Sequence, residues 1–155
     1  MKKIIIIFLA AFFAAIPLSA EDDFNVEIIR PAAMQKGPLF DKTVLWITES
    51  FRSSKAVIEV KDREQGIIVG NGNALMALGS GFFLTEVPVM FTVRIDMKDN
   101  KYRMTFKNVR VMFNDNFPKP IEETNRPSTE PKARERFEQL ANSLDAYLAK
   151  PNNDF

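Results

Sequence analysis

Residues 89–98 and 101–111 alternate apolar and polar side chains on either side of Asp99-Asn100, and no other part of the chain leaves its backbone so little choice. Two residues that tolerate positive φ, set between period-two patterns, specify a β-hairpin with a two-residue turn. With that turn the register follows: Met97 faces Tyr102, Ile95 faces Met104 and Val93 faces Phe106. Those six side chains share one face, which Phe91 extends, and that face is the predicted core. The opposite face sets Asp96 against Arg103, an opposite-charge couple, and Arg94 against Thr105. Turn chemistry, pattern and pairing agree, so the fold has to contain an antiparallel sheet built around this hairpin.

A second hairpin precedes it. Residues 55–61 and 66–72 read as strands separated by Asp62-Arg63-Glu64-Gln65. Setting Lys61 against Gly66 pairs Val60 with Ile67 and Ile58 with Val69 on an apolar face that Ala56 joins. Val57, Glu59, Lys61 and Ile68 then fall on the other, wetter face. Helices flank the two hairpins. Phe40, Val44, Ile47 and Phe51 recur at helical spacing and predict a helix over 39–51, with Trp46 beside the stripe as a core anchor. Ser128 or Thr129 can cap a final helix that has Glu130 and Pro131 in its first turn. Phe137, Leu140, Ala141, Leu144 and Leu148 form its apolar face, Pro151 ends it, and 151–155 fray. Residues 114–131 read as a linker, and 21–36 as a polar lead-in with a short extended piece at 26–29. The order helix, hairpin, hairpin, helix predicts an α+β domain over 37–150, a single antiparallel sheet with both helices on one face.

The N-terminus has a different character. Met1-Lys2-Lys3 is basic, residues 4–16 are uninterruptedly apolar, and Pro17 leads through Leu18-Ser19-Ala20 to an acidic start. That tripartite pattern is a secretory signal peptide over 1–20, with cleavage after Ala20. The apolar run falls short of the roughly 20 residues a spanning helix needs. The expectation is therefore a periplasmic or secreted protein that does not span a membrane once cleaved. The chain has neither Cys nor His. Disulfides, thiolate nucleophiles and an N-terminal lipid-modified Cys are excluded, and so is the usual general base near neutral pH. The formal net charge is +1, and without Lys2 and Lys3 19 basic residues face 20 acidic ones. Neither balance suits a polyanion binder, so no nucleic-acid partner is expected.

Several segments together carry a resemblance: Leu45-Trp46, Ser53-Ser54-Lys55-Ala56-Val57-Ile58, the run from Asp62-Arg63-Glu64-Gln65-Gly66 through Ile67-Ile68-Val69-Gly70-Asn71-Gly72, and Lys98-Asp99-Asn100-Lys101-Tyr102-Arg103-Met104-Thr105-Phe106. They span about the middle half of the mature chain, and the Lys-Asp-x-Lys-Tyr-Arg turn is the most specific piece. In these the chain resembles a family of exported, Bacteroidetes-type bacterial proteins, a domain of unknown function with a TATA-binding-protein-like (TBP-like) fold. The apolar stretch after Asn73 departs from that family's pattern, where a shorter, more polar connection is usual. The resemblance implies fold and export. It supplies no catalytic, cofactor-binding or metal-binding residue.

Residue chemistry adds little. Gly70-x-Gly72 and Gly79-x-Gly81 match no phosphate-loop pattern and read as strand-end and loop glycines. Glu21-Asp22-Asp23, Asn114-Asp115-Asn116 and Glu122-Glu123 lack calcium-loop spacing and read as solvated segments. Ser53-Ser54-Lys55 would need a buried lysine to act as a Ser-Lys dyad. The open sheet face should carry Thr92, Arg94, Asp96 and Lys98 beside Arg103, Thr105 and Lys107, without the apolar wedges of a minor-groove binder. Two readings stand. The first is a non-enzymatic envelope module binding a protein, a glycan or a small amphiphile. The alternative is a carboxylate-dependent, glycosidase-type hydrolase, for which spacing nominates no acid and base pair. Under the first reading the contact surface is residues 75–84, through Leu78, Phe82, Phe83 and Leu84, because adjacent aromatics in an extended chain point opposite ways. The competing expectation is that this segment extends the next strand or covers a sheet edge.

Overall fold

A computed structural model describes residues 23–51, 57–113 and 117–151. The expected signal peptide and cleavage point, Ser53-Ser54-Lys55, Asn114-Asp115-Asn116 and the last four residues lie outside the described residues. The strands are β1 (Val26–Pro31), β2 (Val57–Asp62), β3 (Ile67–Leu78), β4 (Thr85–Lys98), β5 (Lys101–Met112) and β6 (Pro118–Pro120). The helices are α1 (Lys36–Ser50) and α2 (Arg126–Leu148). All pairings are antiparallel, in the order β1-β5-β4-β3-β2, and β6 joins β5 beyond the end of β1.

The β4–β5 hairpin has the register its turn dictates. Met97 faces Tyr102, Ile95 faces Met104, Val93 faces Phe106 and Asp96 faces Arg103. Asn100 takes the positive φ, 63°. Further along, the register shifts between Met90 and Thr92, opposite Asn108 with φ 51°. That irregularity changes the phase of β5 so that both Phe106 and Val109 point into the core.

The β2–β3 hairpin is displaced from the expected register. Val60 faces Val69 and Asp62 faces Ile67, and a bulge then sets Ile58 against Gly70. The cause is the turn. Gly66 belongs to it, with φ 71°, and the Gln65 N–H donates to Asp62 Oδ1 at 2.9 Å. A Cβ on Gly66 would lie 2.6 Å from the Met97 carbonyl oxygen, so only glycine fits there. The β3 faces are also the reverse of those expected, because Ile68 lies opposite the buried Ile95 of β4. Ile68 is in the core, Ile67 and Val69 lie on the opposite face, and Val60 is 46% exposed. Ile58 still packs on the core because the bulge resets the phase.

Three other segments have more structure than expected. The lead-in contributes β1, which pairs with residues 101–106 of β5 and buries Phe24, Val26 and Ile28. The 114–131 linker contains β6 and a 3₁₀ turn, Ile121–Glu123, whose Ile121 is fully buried. Residues 73–78 are no connection but the second half of β3, so the two hairpins merge into one meander.

Both helices pack on one face. α1 turns inward Leu39, Phe40, Thr43, Trp46 and Ile47, and the Trp46 Nε1–H reaches Ser143 Oγ at 3.2 Å. α2 buries Phe137, Leu140, Ala141, Leu144 and Leu148 as its periodicity predicts, and begins about a turn early, at Arg126. Phe106 and Phe137 stack with centroids 4.1 Å apart, and Phe91 meets both edge-on. A Cβ on Gly72 would stand 2.5 Å from the Phe91 ring, so this glycine makes room for the aromatic cluster. It is a mid-strand residue, not a strand end.

Candidate functional site: the open sheet face and the β3–β4 arm

With the helices on one side, the opposite face of the sheet is open to solvent. Its side chains form two ordered rows. In the first, Asn108 Nδ2 donates to Thr92 Oγ1 (3.3 Å), Thr92 Oγ1 to Asn71 Oδ1 (2.9 Å) and Asn71 Nδ2 to Glu59 Oε1 (2.5 Å). That row crosses β5, β4, β3 and β2. In the second, Arg94 grips Asp96 through Nε and Nη2, and Arg103 reaches Asp96 at 3.2 Å and Glu27 at 3.5 Å. The Arg94 hydrogen bonds hold the Asp96 carboxyl below its usual range, against the opposing effect of partial burial, with Arg103 assisting. The cationic side chains expected on this face are there, and its two central arginines are neutralised by it.

Asp41 is likewise held low by its hydrogen bonds to Arg63. Both of these shifts go in the direction opposite to that of a general acid. Burial, with the hydroxyl donating to Asp145 Oδ1 at 2.6 Å, drives the Tyr102 phenol up and keeps it neutral. Among the described residues no three carboxylates stand close enough together to hold a metal ion. No described helix is long and apolar enough to cross a membrane. An apolar cavity of about 20 Å³ lies between α1 and the sheet beside Gly70 and Gly72. It has the size of one water molecule and no polar wall, so it is a packing void and not a ligand pocket.

β3 and β4 outrun their neighbours. Among the described residues the β2 pairing reaches no further than Asn71 and the β5 pairing no further than Val89, so residues 73–88 form an arm in which the described partners are mainly each other. From Gln65 to Thr85 the chain carries no charge. The arm turns through Gly79 and Gly81, with φ of 87° and 57°, and the 3₁₀ turn Gly81–Phe83. The predicted contact residues separate here. The Phe82 ring stands wholly in solvent (106%) and Leu84 is 59% exposed, whereas Leu78 packs against the edge of the core. The Phe83 side chain lies outside the described residues. Leu75 (51% exposed) adds an apolar side chain on the open face, beside a shallow hollow of about 830 Å³ lined also by Asn73, Pro88 and Met90.

The amide row was not foreseen from the sequence. Its signal is there: Asn71 and Asn73 interrupt a strand whose other positions are apolar or glycine, and asparagine is depleted in strands.

Residues 26–112 match the model of a family described as a domain of unknown function (DUF4468) with TBP-like fold. A crystal structure of a DUF4468 family protein from Bacteroides ovatus superposes with TM-score 0.68 at 15% identity, covering 92% of this chain and 95% of that one. A TBP-like protein from Parabacteroides distasonis superposes with TM-score 0.59 at 16% identity, covering 87% and 98%. At such identities the likeness concerns the fold. No curated protein sequence matches the chain.

Proposed function

We propose a binding role for this chain, which belongs to the DUF4468 family of TBP-like fold. It is an exported, non-enzymatic module of the bacterial envelope, and it engages its partner through the tip of the β3–β4 arm. The observation that carries this is the Phe82 ring, wholly in solvent with Leu84 beside it, at the tip of a long arm that carries no charge from Gln65 to Thr85. Covering such a side chain is worth about 1.5–3 kcal/mol, and the monomer leaves that unrealised. Export follows from the N-terminal pattern, and it separates the protein from the genome. Arg94 and Arg103 of the open face are occupied by Asp96 and Glu27, which also argues against a nucleic-acid role for the fold.

Two measurements test this reading. N-terminal sequencing of protein recovered from the envelope fraction should begin at Glu21; an intact Met1 overturns export. Capture from envelope extract should retain a species that Phe82→Ser loses while its urea midpoint stays unchanged. Equal retention by the variant would remove the tip from the contact.

A further inference from the structure

The outermost strands of the sheet carry features that discourage further pairing. β2 has a bulge between Ile58 and Val60 and three charged residues, Glu59, Lys61 and Asp62. β1 carries Glu27 and Arg30 and ends on Pro31. Charges, bulges and prolines of this kind keep strand edges from acting as templates. The outer edge of β3 is different. From Asn73 to Leu78 it has no ladder partner among the described residues, and it contains no charge, no proline and no bulge.

A trough of about 310 Å³ runs beside this edge. Leu75, Met76 and Ala77 with Glu86 of β4 form one wall, and Lys132, Glu135, Arg136 and Gln139 of α2 form the other. On that wall the Arg136 Nη1 donates to Gln139 Oε1 at 3.0 Å, yet its buried Nε has no hydrogen-bond partner. Buried donors are rarely left so. Strand edge and helix wall together have the form of half an interface.

We propose that this edge pairs antiparallel with the same edge of a second copy about a two-fold axis, so that one sheet runs through the dimer. A two-fold contact sets a surface against itself, so any patch of single-sign charge repels its own copy. The β3 edge is neutral, and the trough sets two cations, Lys132 and Arg136, against two carboxylates, Glu135 and Glu86; Lys132 already holds Glu135 at 2.8 Å, so the two-fold can bring Glu86 of one copy to Arg136 of the other. The inference goes beyond the binding role, because it uses the side of the arm and leaves the tip free.

Sedimentation of the purified exported protein tests it. The wild type should be a dimer at about 100 μM, within the range that interfaces of ordinary size reach. Leu75→Lys places like charges near the axis on a half-exposed side chain and should give a monomer with an unchanged urea midpoint. Mixing Leu75→Lys with Leu75→Glu should restore a dimer. Ala77→Lys, at an exposed position, gives the same reading should the first variant prove unstable. A monomeric wild type, a dimer indifferent to both lysines, or one that Phe82→Ser dissociates would each overturn the proposal.

Discussion

Phe106 has no exposed surface, and its ring is closed in by Phe137 on its face and Phe91 at its edge. Phe106→Ala should cost about 3–5 kcal/mol, the range for truncating a buried aromatic. Its exposed neighbour, Lys107→Ala, should cost under about 0.5 kcal/mol. Urea melts of both variants check the pair of values, and a costlier Lys107 would mean that the strand faces are inverted. Asp96 supplies a pH signature. Its carboxyl titrates below the ordinary 3.8 because the arginines favour the charged form. A depressed folded value means stability that is present above the unfolded pKa and lost as pH falls through the folded one. Asp96→Asn should therefore flatten the acid limb of stability between about pH 5 and pH 2, measured as urea midpoint against pH. Both positions were assignable from alternation alone, because apolar and charged residues strictly take turns from Ile95 to Met97 and from Tyr102 to Phe106. The second arginine on Asp96 was not: Arg94 lies two residues away on the same strand, a neighbour that a cross-strand pattern does not weigh.

The hairpins show why one element could be read and its twin could not. In β4–β5 the turn sits between runs in which polarity alternates, so only one register buries the apolar set. In β2–β3 the residues after the turn are Ile67-Ile68-Val69, which suit either face, and the decision passed to the turn. With Gly66 at positive φ the four-residue turn moves on by one position, from 62–65 to 63–66, and β3 enters the sheet with Ile68, rather than Ile67 and Val69, toward the core. Helix starts are similarly governed from outside. Gln35 at the head of α1 has no side-chain cap of its own, and the Lys36 N–H instead donates to Asp99 Oδ1, 2.9 Å away in the β4–β5 turn. The same turn accepts the Ala32 N–H at the Asn100 carbonyl and donates the Asn100 N–H to the Met34 carbonyl. A residue chosen by the hairpin thus also caps a helix 63 positions distant in sequence. Asp99→Ala should lose about 0.5–2 kcal/mol as a missing cap, with the anion's favourable placement at the helix N-terminus included. Thermal melts would show it, and Asp99→Asn should recover part of the loss by keeping the acceptor. An alanine variant as stable as the wild type would make the contact incidental.

At the scale of the whole molecule, the expected class was right, an antiparallel sheet under two helices, while its outer boundary was drawn too tightly. The reason is that β1 and β6 are short and make sense only once β5 offers an edge. The six residues of β1 carry no pattern long enough to stand apart from a lead-in, and the three of β6 begin and end with proline. Which side chains the tip of the arm exposes was legible only in part, because the turn through Gly79 and Gly81 separates the half-buried Leu78 from the exposed Phe82 and Leu84. The boundary itself can be tested. A chain beginning at Gly37 contains both hairpins and both helices, and it would be the complete domain if the lead-in were dispensable. The structure predicts that it is not. Such a chain lacks Phe24, Val26 and Ile28, all in the core, and the ion pairs from Arg30 to Glu138 and Asp145 that tie β1 to α2. It also bares the edge of β5 from Lys101 to Phe106. Three buried side chains at about 1.5–3 kcal/mol each amount to most of a domain's usual 5–15 kcal/mol. The truncated chain should therefore lose its cooperative urea transition or aggregate through the bared edge, while a chain beginning at Asp23 should melt like one beginning at Glu21. Matching midpoints for the two truncations would show β1 to be an ornament on a domain already complete without it.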